Sequence, residues 1–485
     1  AAITRAAVRK PVVVLKAGRT RDGVRSARSH TGAVAGDAAV AAAALRTAGA
    51  TWVDREDELL PVAAALAGWP TPPGGRTAVL ADGGGHATIA ADAIGSSRHL
   101  RLAHLAEKTR ARLRDLLGPH ASVANPVDVA GATDTDPVRF ADAAAIVLDD
   151  DGVDQLVVVG LLGGYAKRFD PGLRDSEQEA ATVLAQRARG PKPVLVCSVY
   201  AGGDNKVLAP LFEAGVPVHP SVELTVRAAD ALAERAAWLR GERPSWPSLP
   251  SPPPGRPRLL TEPQARELLR LGGVPVGPHR LARTADEAAA AATALGGRVA
   301  LKVVSPDIAH KSDVGGVRLD VTPLTAAAAY TGMLAEVAAR CPHARIDGVL
   351  VTPMVREPGV EMLVGVSYDE TFGPVLTVGA GGTLVELLGD VSSRPLPVTP
   401  DLARRMLGDL VVRRLLAGYR GTPPADVEAL VSLMVAVSEF AVAHPEVREL
   451  DLNPVLVHAG GVAVLDARII AVPASPQPPT PPAGR

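Results

Sequence analysis

The chain has 485 residues, with 51 basic against 52 acidic side chains and a formal charge of −1. At roughly 150 residues per domain this length predicts three domains, each large enough for a full hydrophobic core. Balanced charge excludes a basic surface for nucleic acid or an anionic membrane, and no apolar run reaches the roughly 18 residues of a spanning helix.

Only two cysteines occur, Cys197 and Cys341, in different parts of the chain. They exclude a disulfide framework or a cysteine metal site, and a reducing cytoplasm is the expected compartment. The chain lacks an initiator methionine and its first predicted element is a strand over 10–16, which implies a further segment upstream.

Continuous apolar runs at 10–16, 78–81, 155–162 and 193–199 predict buried parallel strands. Alanine-rich stretches at 37–48, 55–67, 86–94, 136–148, 176–189 and 222–240 have helical length and spacing between them. The alternation predicts doubly wound α/β domains with right-handed crossovers. Residues 242–257 (ERPSWPSLPSPPPGRP) can neither continue a helix nor join a central strand, and read as a linker. Beyond it come helices near 261–271 and 285–295, then strands at 299–304, 316–321, 348–354, 361–366 and 374–378. A helix over 422–443 and three short strands ending near 467 complete an α+β pattern. The tail 472–485 (VPASPQPPTPPAGR) has too little apolar surface to pack and is expected to be disordered.

Four segments carry chemistry. The run 16–37 (KAGRTRDGVRSARSHTGAVAGD) leaves a strand, passes five basic residues and presents His30 on a glycine-rich loop. An imidazole there can meet an anion or form a covalent intermediate, although a loop histidine can equally be idle. At 81–94 (ADGGGHATIAADAI) a strand ends in Gly83, Gly84 and Gly85 and opens into a helix. Its free N–H groups can bind an anion, and an ordinary α/β turn fits as well. Lys302 interrupts an apolar strand (VALKV), followed by a polar loop with His310, Lys311 and a glycine pair (SPDIAHKSDVGGV); phosphate contact and a plain hairpin loop both account for that loop. Near the C-terminus, Asn453 in ELDLNPVLV and Asp466 in VAVLDA lie on adjacent strand patterns, where an amide and a carboxylate could share a Mg²⁺ ion; an Asn-Pro pair can also be only a turn.

Together these segments resemble the nucleoside-diphosphate-forming acyl-CoA synthetases, relatives of succinyl-CoA synthetase. The resemblance rests on GRT..G...SHTG at Gly18 to Gly32, DGGG at Asp82, NPVDV at Asn125 to Val129, LKVVSPDIAHKSDVGGV at Leu301 to Val317, VGVSYDETFGPVLTVGAGGTLVELLGD at Val364 to Asp390, GYRGTPPAD at Gly418 to Asp426, and ELDLNPVLV with LDAR at Glu449 to Arg468. It implies succinyl-CoA synthetase-like parallel-sheet domains followed by an ATP-grasp domain. The domains would be 1–72 with the phosphohistidine loop, 73–241 as a second α/β domain, linker 242–257, ATP-grasp domain 258–470 and tail 471–485.

The resemblance also implies an ADP-forming acyl-CoA synthetase that uses ATP, Mg²⁺ and CoA on a small carboxylic acid or acyl phosphate. His30 would be the phosphohistidine, His310 a second histidine at the ATP-grasp end, and Gly83, Gly84 and Gly85 a helix mouth that steadies phosphate. Lys302 would meet the nucleotide phosphates, with Val351, Pro353, Met354 and Val355 as the hinge beside adenine and Glu361 near the nucleotide. Asn453 and Asp466 would bind Mg²⁺. The family's CoA-binding domain is not among the segments present, so it would act in cis from upstream or in trans within an oligomer. His86 stands where a proline or small residue is expected. An alternative implication is a regulatory module that senses nucleotide or acyl-CoA, as in acetyltransferase fusions.

Overall fold

The computed structural model describes residues 2–20, 22–23, 25, 38–129, 131–188, 190–202, 205–241, 249–308, 310–382 and 389–472. The chain divides into two compact units, one of Ala1–Gly32 with Leu45–Pro244 and one of Ala33–Ala44 with Ser245–Arg485. The first unit carries two sheets, a two-stranded one before residue 72 and a six-stranded one after it. The predicted tail begins later than expected, since Ala471 ends a strand and Val472 is buried with its N–H on the Glu446 carbonyl; 473–485, and 242–248 of the linker, lie outside the described residues.

The first described element is a helix, Ala2–Arg9, rather than a strand. Ala7 is its buried residue, and its carbonyl accepts a bond from Arg235. The predicted strand over 10–16 shrinks to β1 (Val13–Leu15), parallel to β2 (Thr51–Val53).

The main sheet of this unit contains β3 (Arg76–Ala81), β4 (Arg101–Leu102), β5 (Val127–Asp128), β6 (Gln155–Gly160), β7 (Val194–Ser198) and β8 (Val218–His219). All its ladders are parallel, in the order β4-β3-β6-β7-β8 with β5 also paired to β3. The strands read as unbroken apolar runs because successive residues enter two different cores. Leu80, Val158 and Val196 pack with Phe140 and Leu184 on one face. Val79, Val157 and Leu195 pack with Ile94, Val226 and Leu232 on the other. Each fully buried Val or Leu contributes about 1.5–3 kcal/mol. Helices Gly84–Ser96 and Val222–Arg240 thereby fix one face of the sheet, and Val138–Leu148 and Arg174–Arg187 the other.

The second unit is built on two sheets. One joins β10 (Arg280–Ala282), β11 (Val299–Val304), β12 (Val317–Val321) and β13 (Gly348–Pro353), all antiparallel in the order β10-β13-β11-β12. Helices Ala285–Ala294 and Ala326–Arg340 close its core. The other sheet comprises β9 (Arg258–Leu259), β14 (Gly359–Asp369), β15 (Gly373–Ala380), β16 (Val391–Pro395), β17 (Val447–His458), β18 (Gly461–Val464) and β19 (Arg468–Ala471). It packs on helices Glu262–Leu271, Pro400–Gly408 and Val427–Ala443.

Three short terminal strands were expected by residue 467; the first of them is instead the twelve-residue β17, and β19 runs on to Ala471. Proline survives in this strand because the ladder to β14 slips between Met362 and Val364, just where Asn453 and Pro454 lie. No ladder bond is demanded of the missing N–H, and the bulge re-aims Asn453. Among the described residues no helix is long and apolar enough to cross a membrane.

Candidate functional site

In the second unit the charged side chains converge on Glu262. It opens helix Glu262–Leu271, whose start is fixed by Gln264 accepting the Thr261 N–H at 3.0 Å. Its carboxylate is 2% exposed and is gripped one turn on by Arg266 Nε at 2.9 Å. Arg266 is itself buried and donates to the carbonyls of Val464 and Leu465 at 3.3 and 2.8 Å.

Lys302 projects from β11 into the same place. Its Nζ lies 3.2 Å from Glu262 Oε1 and 3.2 Å from Asp466 Oδ1, and donates to the Leu465 carbonyl at 2.6 Å. Lys311, from the loop between β11 and β12, bonds Glu262 Oε2 and lies 3.4 Å from Asp466 Oδ1. Burial tends to lower the Lys311 ammonium, but Glu262 and Asp466 outweigh it and raise its pKa. Burial would likewise raise the Asp466 carboxyl, yet Lys302 and Lys311 hold it well below the usual carboxylate range. Three cations thus share two carboxylates. Such a cluster is a poor source of stability, because desolvation offsets most of the attraction. It is suited to a polyanion, which two ammonium groups can receive when Asp466 turns to another partner.

Asn453 and Asp466 are brought alongside by the Leu465 N–H bond to the Pro454 carbonyl at 3.0 Å. Asn453 Oδ1 accepts the Gly382 N–H at 3.0 Å, and the Gly381 N–H donates to the Glu361 carbonyl at 2.8 Å. Gly382 has φ +62°, and a Cβ there would fall 2.1 Å from Glu361 Oε2. Only glycine lets that loop descend onto Glu361 and Asn453. Alternation along β17 puts Glu449 and Asp451 on the same face as Asn453. Asp451 Oδ1 is buried with no hydrogen-bond partner, and burial raises its carboxyl against the pull of Arg468.

Other expected residues are less closely joined. His310 is exposed beside Lys311, and its ring makes no hydrogen bond among the described residues. Val351 is wholly buried in the core between β10 and β11, so its side chain faces no ligand. Pro353, Met354 and Val355 at the end of β13 are half-buried, with the Met354 N–H held by Arg298 O at 2.9 Å.

In the first unit Asp82 directly follows β3, its side chain 2% exposed. Oδ2 accepts from Tyr165 OH at 3.0 Å and from the Leu161 N–H. Oδ1 has no hydrogen bond and faces His86 Nδ1 at 3.9 Å. Burial raises this carboxyl, partly countered by its two donors. Gly83 caps helix Gly84–Ser96 without a side chain. A Cβ at Gly83 or Gly85 would meet nothing within 4 Å, and neither residue has a left-handed φ. Neither packing nor backbone therefore requires glycine there; the open space in front of the N–H groups does suit an incoming oxyanion. His30 lies outside the described residues.

In the sequence Lys311 stands within the polar loop after Lys302 and Asp82 within DGGG, neither with a role of its own, whereas Glu262, Arg266 and Asp451 are not singled out there. Their local signals are slight: Glu262 and Arg266 form an ordinary i, i+4 pair, and Asp451 merely alternates with apolar neighbours.

Two family models match the chain: an ATP-grasp domain over residues 255–471 and a succinyl-CoA ligase-like flavodoxin domain over residues 1–66. Fold and site thus define a protein that joins an ATP-grasp domain to succinyl-CoA ligase-like α/β structure. The acetate–CoA ligase (ADP-forming) I of Archaeoglobus fulgidus is 35% identical over 475 residues, covering 95% of this chain and 66% of the relative. The subunit beta of acetate–CoA ligase (ADP-forming) I of Pyrococcus furiosus is 38% identical over 214 residues, 44% of this chain and 92% of that subunit. The subunit alpha of the Pyrococcus furiosus enzyme II is 35% identical over 235 residues, 48% of this chain and 49% of that subunit. The chain belongs to the ADP-forming acetate–CoA ligase family. It spans 66% of the length of the Archaeoglobus relative, just under two thirds.

Proposed function

We propose that this chain carries the phosphoryl-transfer half of an ADP-forming acyl-CoA synthetase, a carbon–sulfur ligase that converts a carboxylate, CoA and ATP to acyl-CoA, ADP and phosphate. The observation that carries the reading is the pair Lys302 and Lys311, held over Glu262 and Asp466 in a member of this family. Lys302 and Lys311 bind the nucleotide phosphates and neutralise charge as the γ-phosphoryl leaves ADP. Glu262 stays locked to Arg266 and keeps both ammonium groups aimed.

The donor set fits a hard divalent cation: an amide oxygen at Asn453, a carboxylate at Asp466, and the unpartnered Asp451 Oδ1 on the same strand face. Asn453 and Asp466 would hold Mg²⁺, which when bound neutralises phosphate charge as a Lewis acid. Pro353, Met354 and Val355 would line the adenine side, with Glu361 beside the nucleotide. His310, next to Lys311, would be the second histidine at the nucleotide end, and His30 would carry the phosphoryl group between nucleotide and acyl sites. The glycine mouth at Gly83, Gly84 and Gly85 steadies the phosphate at the acyl end through the helix N-terminus. CoA enters as substrate on a domain supplied in cis or in trans, in keeping with relatives named as separate alpha and beta subunits. The compartment that suits this chemistry and two free thiols is the cytoplasm.

Incubation with γ-labelled ATP and magnesium should give an acid-labile, base-stable phosphoprotein that His30→Ala abolishes. Labelling that survives the substitution overturns the assignment of His30, and absence of labelling in the unaltered chain overturns the reading as a whole.

A further inference from the structure

At the other end of the parallel sheet of the first unit lies a cavity of about 490 Å³, within the range of small-molecule sites. It is lined at the amino ends of the strands: Arg76 opens β3, Arg101 opens β4, and Asp154 precedes β6. Arg240, the last residue of helix Val222–Arg240, closes one side, and Ala233 and Ala237 of the same helix supply an apolar wall. The glycine mouth at Gly83 to Gly85 follows the carboxyl end of β3, roughly 17 Å along the strand. The cavity is therefore separate from the acyl-end site proposed above.

Charge in this cavity is unbalanced. Arg76 is neutralised by Asp154, through bonds of 3.0 and 2.7 Å from Nε and Nη2. His99 has its own acid, Asp230, at 3.2 Å, which leaves Nε2 free. Arg101 makes no salt bridge among the described residues, although its charge reaches Asp154, and Arg240 donates Nη1 to the Pro73 carbonyl at 2.8 Å. Three guanidinium groups thus face one concave space whose one lining carboxylate, Asp154, is already bonded to Arg76. Arginine forks match phosphate oxygens bidentately, and the alanine wall can cover a less polar body.

We infer that this cavity is a second binding site, for a small phosphorylated molecule whose dianionic head is held by Arg101 and Arg240. Arg76 and His99 line the same cavity, with Asp154 fixing Arg76 in place.

The test is calorimetric titration of the full chain with inorganic phosphate and with pyrophosphate, in magnesium and a saturating non-hydrolysable ATP analogue that keeps the nucleotide site filled. The Arg101→Ala/Arg240→Ala double variant should bind at least about tenfold more weakly, the loss of one or more charge-assisted hydrogen bonds. Arg112→Ala, an exposed arginine on helix Glu107–Leu117, should bind as the unaltered chain does. Both cavity arginines are exposed, so the double variant should keep its melting temperature. Equal affinity in the double variant, or no saturable heat in the unaltered chain at millimolar ligand, overturns the inference. Lys302→Ala separates the two sites: loss of analogue binding with phosphate binding retained supports both assignments, whereas retained analogue binding counts against the nucleotide reading alone.

Discussion

Gly85→Ala should make the protein more stable and less active. Gly85 is the second residue of helix Gly84–Ser96, with a backbone that any residue adopts, and a Cβ placed there meets no atom within 4 Å. Alanine at such a position removes backbone freedom from the unfolded chain and gains about 0.5–1 kcal/mol, with the lower end apt for a first turn. The same methyl group adds bulk beside the first-turn N–H donors proposed above for the phosphate. Displacing an oxyanion by even part of an ångström sacrifices a charge-assisted hydrogen bond of about 1.5–3 kcal/mol, so discharge of phosphorylated His30 to an added short-chain carboxylate should slow roughly 10- to 100-fold. Urea unfolding gives the first quantity, and the decay of labelled phosphoprotein the second. A variant with unchanged discharge would mean that the glycines keep no space for a ligand. A variant that loses stability would mean that the fold itself needs glycine, which the geometry denies.

Lys311→Ala should weaken a magnesium-bound ATP analogue by roughly 10- to 100-fold while leaving AMP binding nearly unchanged, because its ammonium serves phosphates rather than adenine; an equal loss for both ligands would refute that role. Arg266→Met breaks a buried pair while Glu262 keeps Lys302 and Lys311 and the Leu465 carbonyl keeps Lys302, so urea unfolding should show a loss of about 1.5–3 kcal/mol for the lost charge-assisted bonds, and a loss below about 1 kcal/mol would contradict the burial argument. His219 is buried with Nε2 unpartnered, and burial pushes its pKa down to about 4. The unfolded chain therefore takes up this proton first as pH falls below about 6.5, and stability present at neutral pH drains away by about 3 kcal/mol on reaching pH 4. His219→Gln should remove most of that slope, and an unchanged slope between the two proteins would assign acid sensitivity elsewhere.

How much of this was legible depended on whether the relevant force acts locally. Strands β3, β6 and β7 were visible because both their faces are buried, so each is an apolar run bounded by polar turns. Helix Val222–Arg240 was read to its ends because Ser221 caps it and glycine follows it. The helix Ala2–Arg9 is missed although its short sequence is amphipathic: eight residues with a single buried alanine are too few to establish a helical repeat, and contact with Arg235 lies far along the chain. Likewise β17 was cut short because Asn-Pro ordinarily ends a strand, and only the slipped ladder to β14 explains why it does not.

The site divides along the same line. Lys302 declared itself, since an ammonium inside VALKV demands a partner, but nothing within that strand says that the partners are Glu262, forty residues earlier, and Asp466, far downstream. Glu262 and Arg266 gave no such warning. On a helix that is otherwise amphipathic, an i, i+4 acid–base pair looks like a solvated surface bridge worth a few tenths of a kcal/mol. Here it is buried because the turn at Val464 and Leu465 covers it, and burial changes its meaning from decoration to anchor. A lone charge in an apolar strand thus reveals that a site exists, whereas the group that aims that charge is hidden whenever its own sequence context already offers it a partner. Glu262 is such a group, which is why exchanging Lys302 alone would remove a ligand contact, but exchanging Glu262 would loosen both lysines at once, leaving Asp466 as the carboxylate they share.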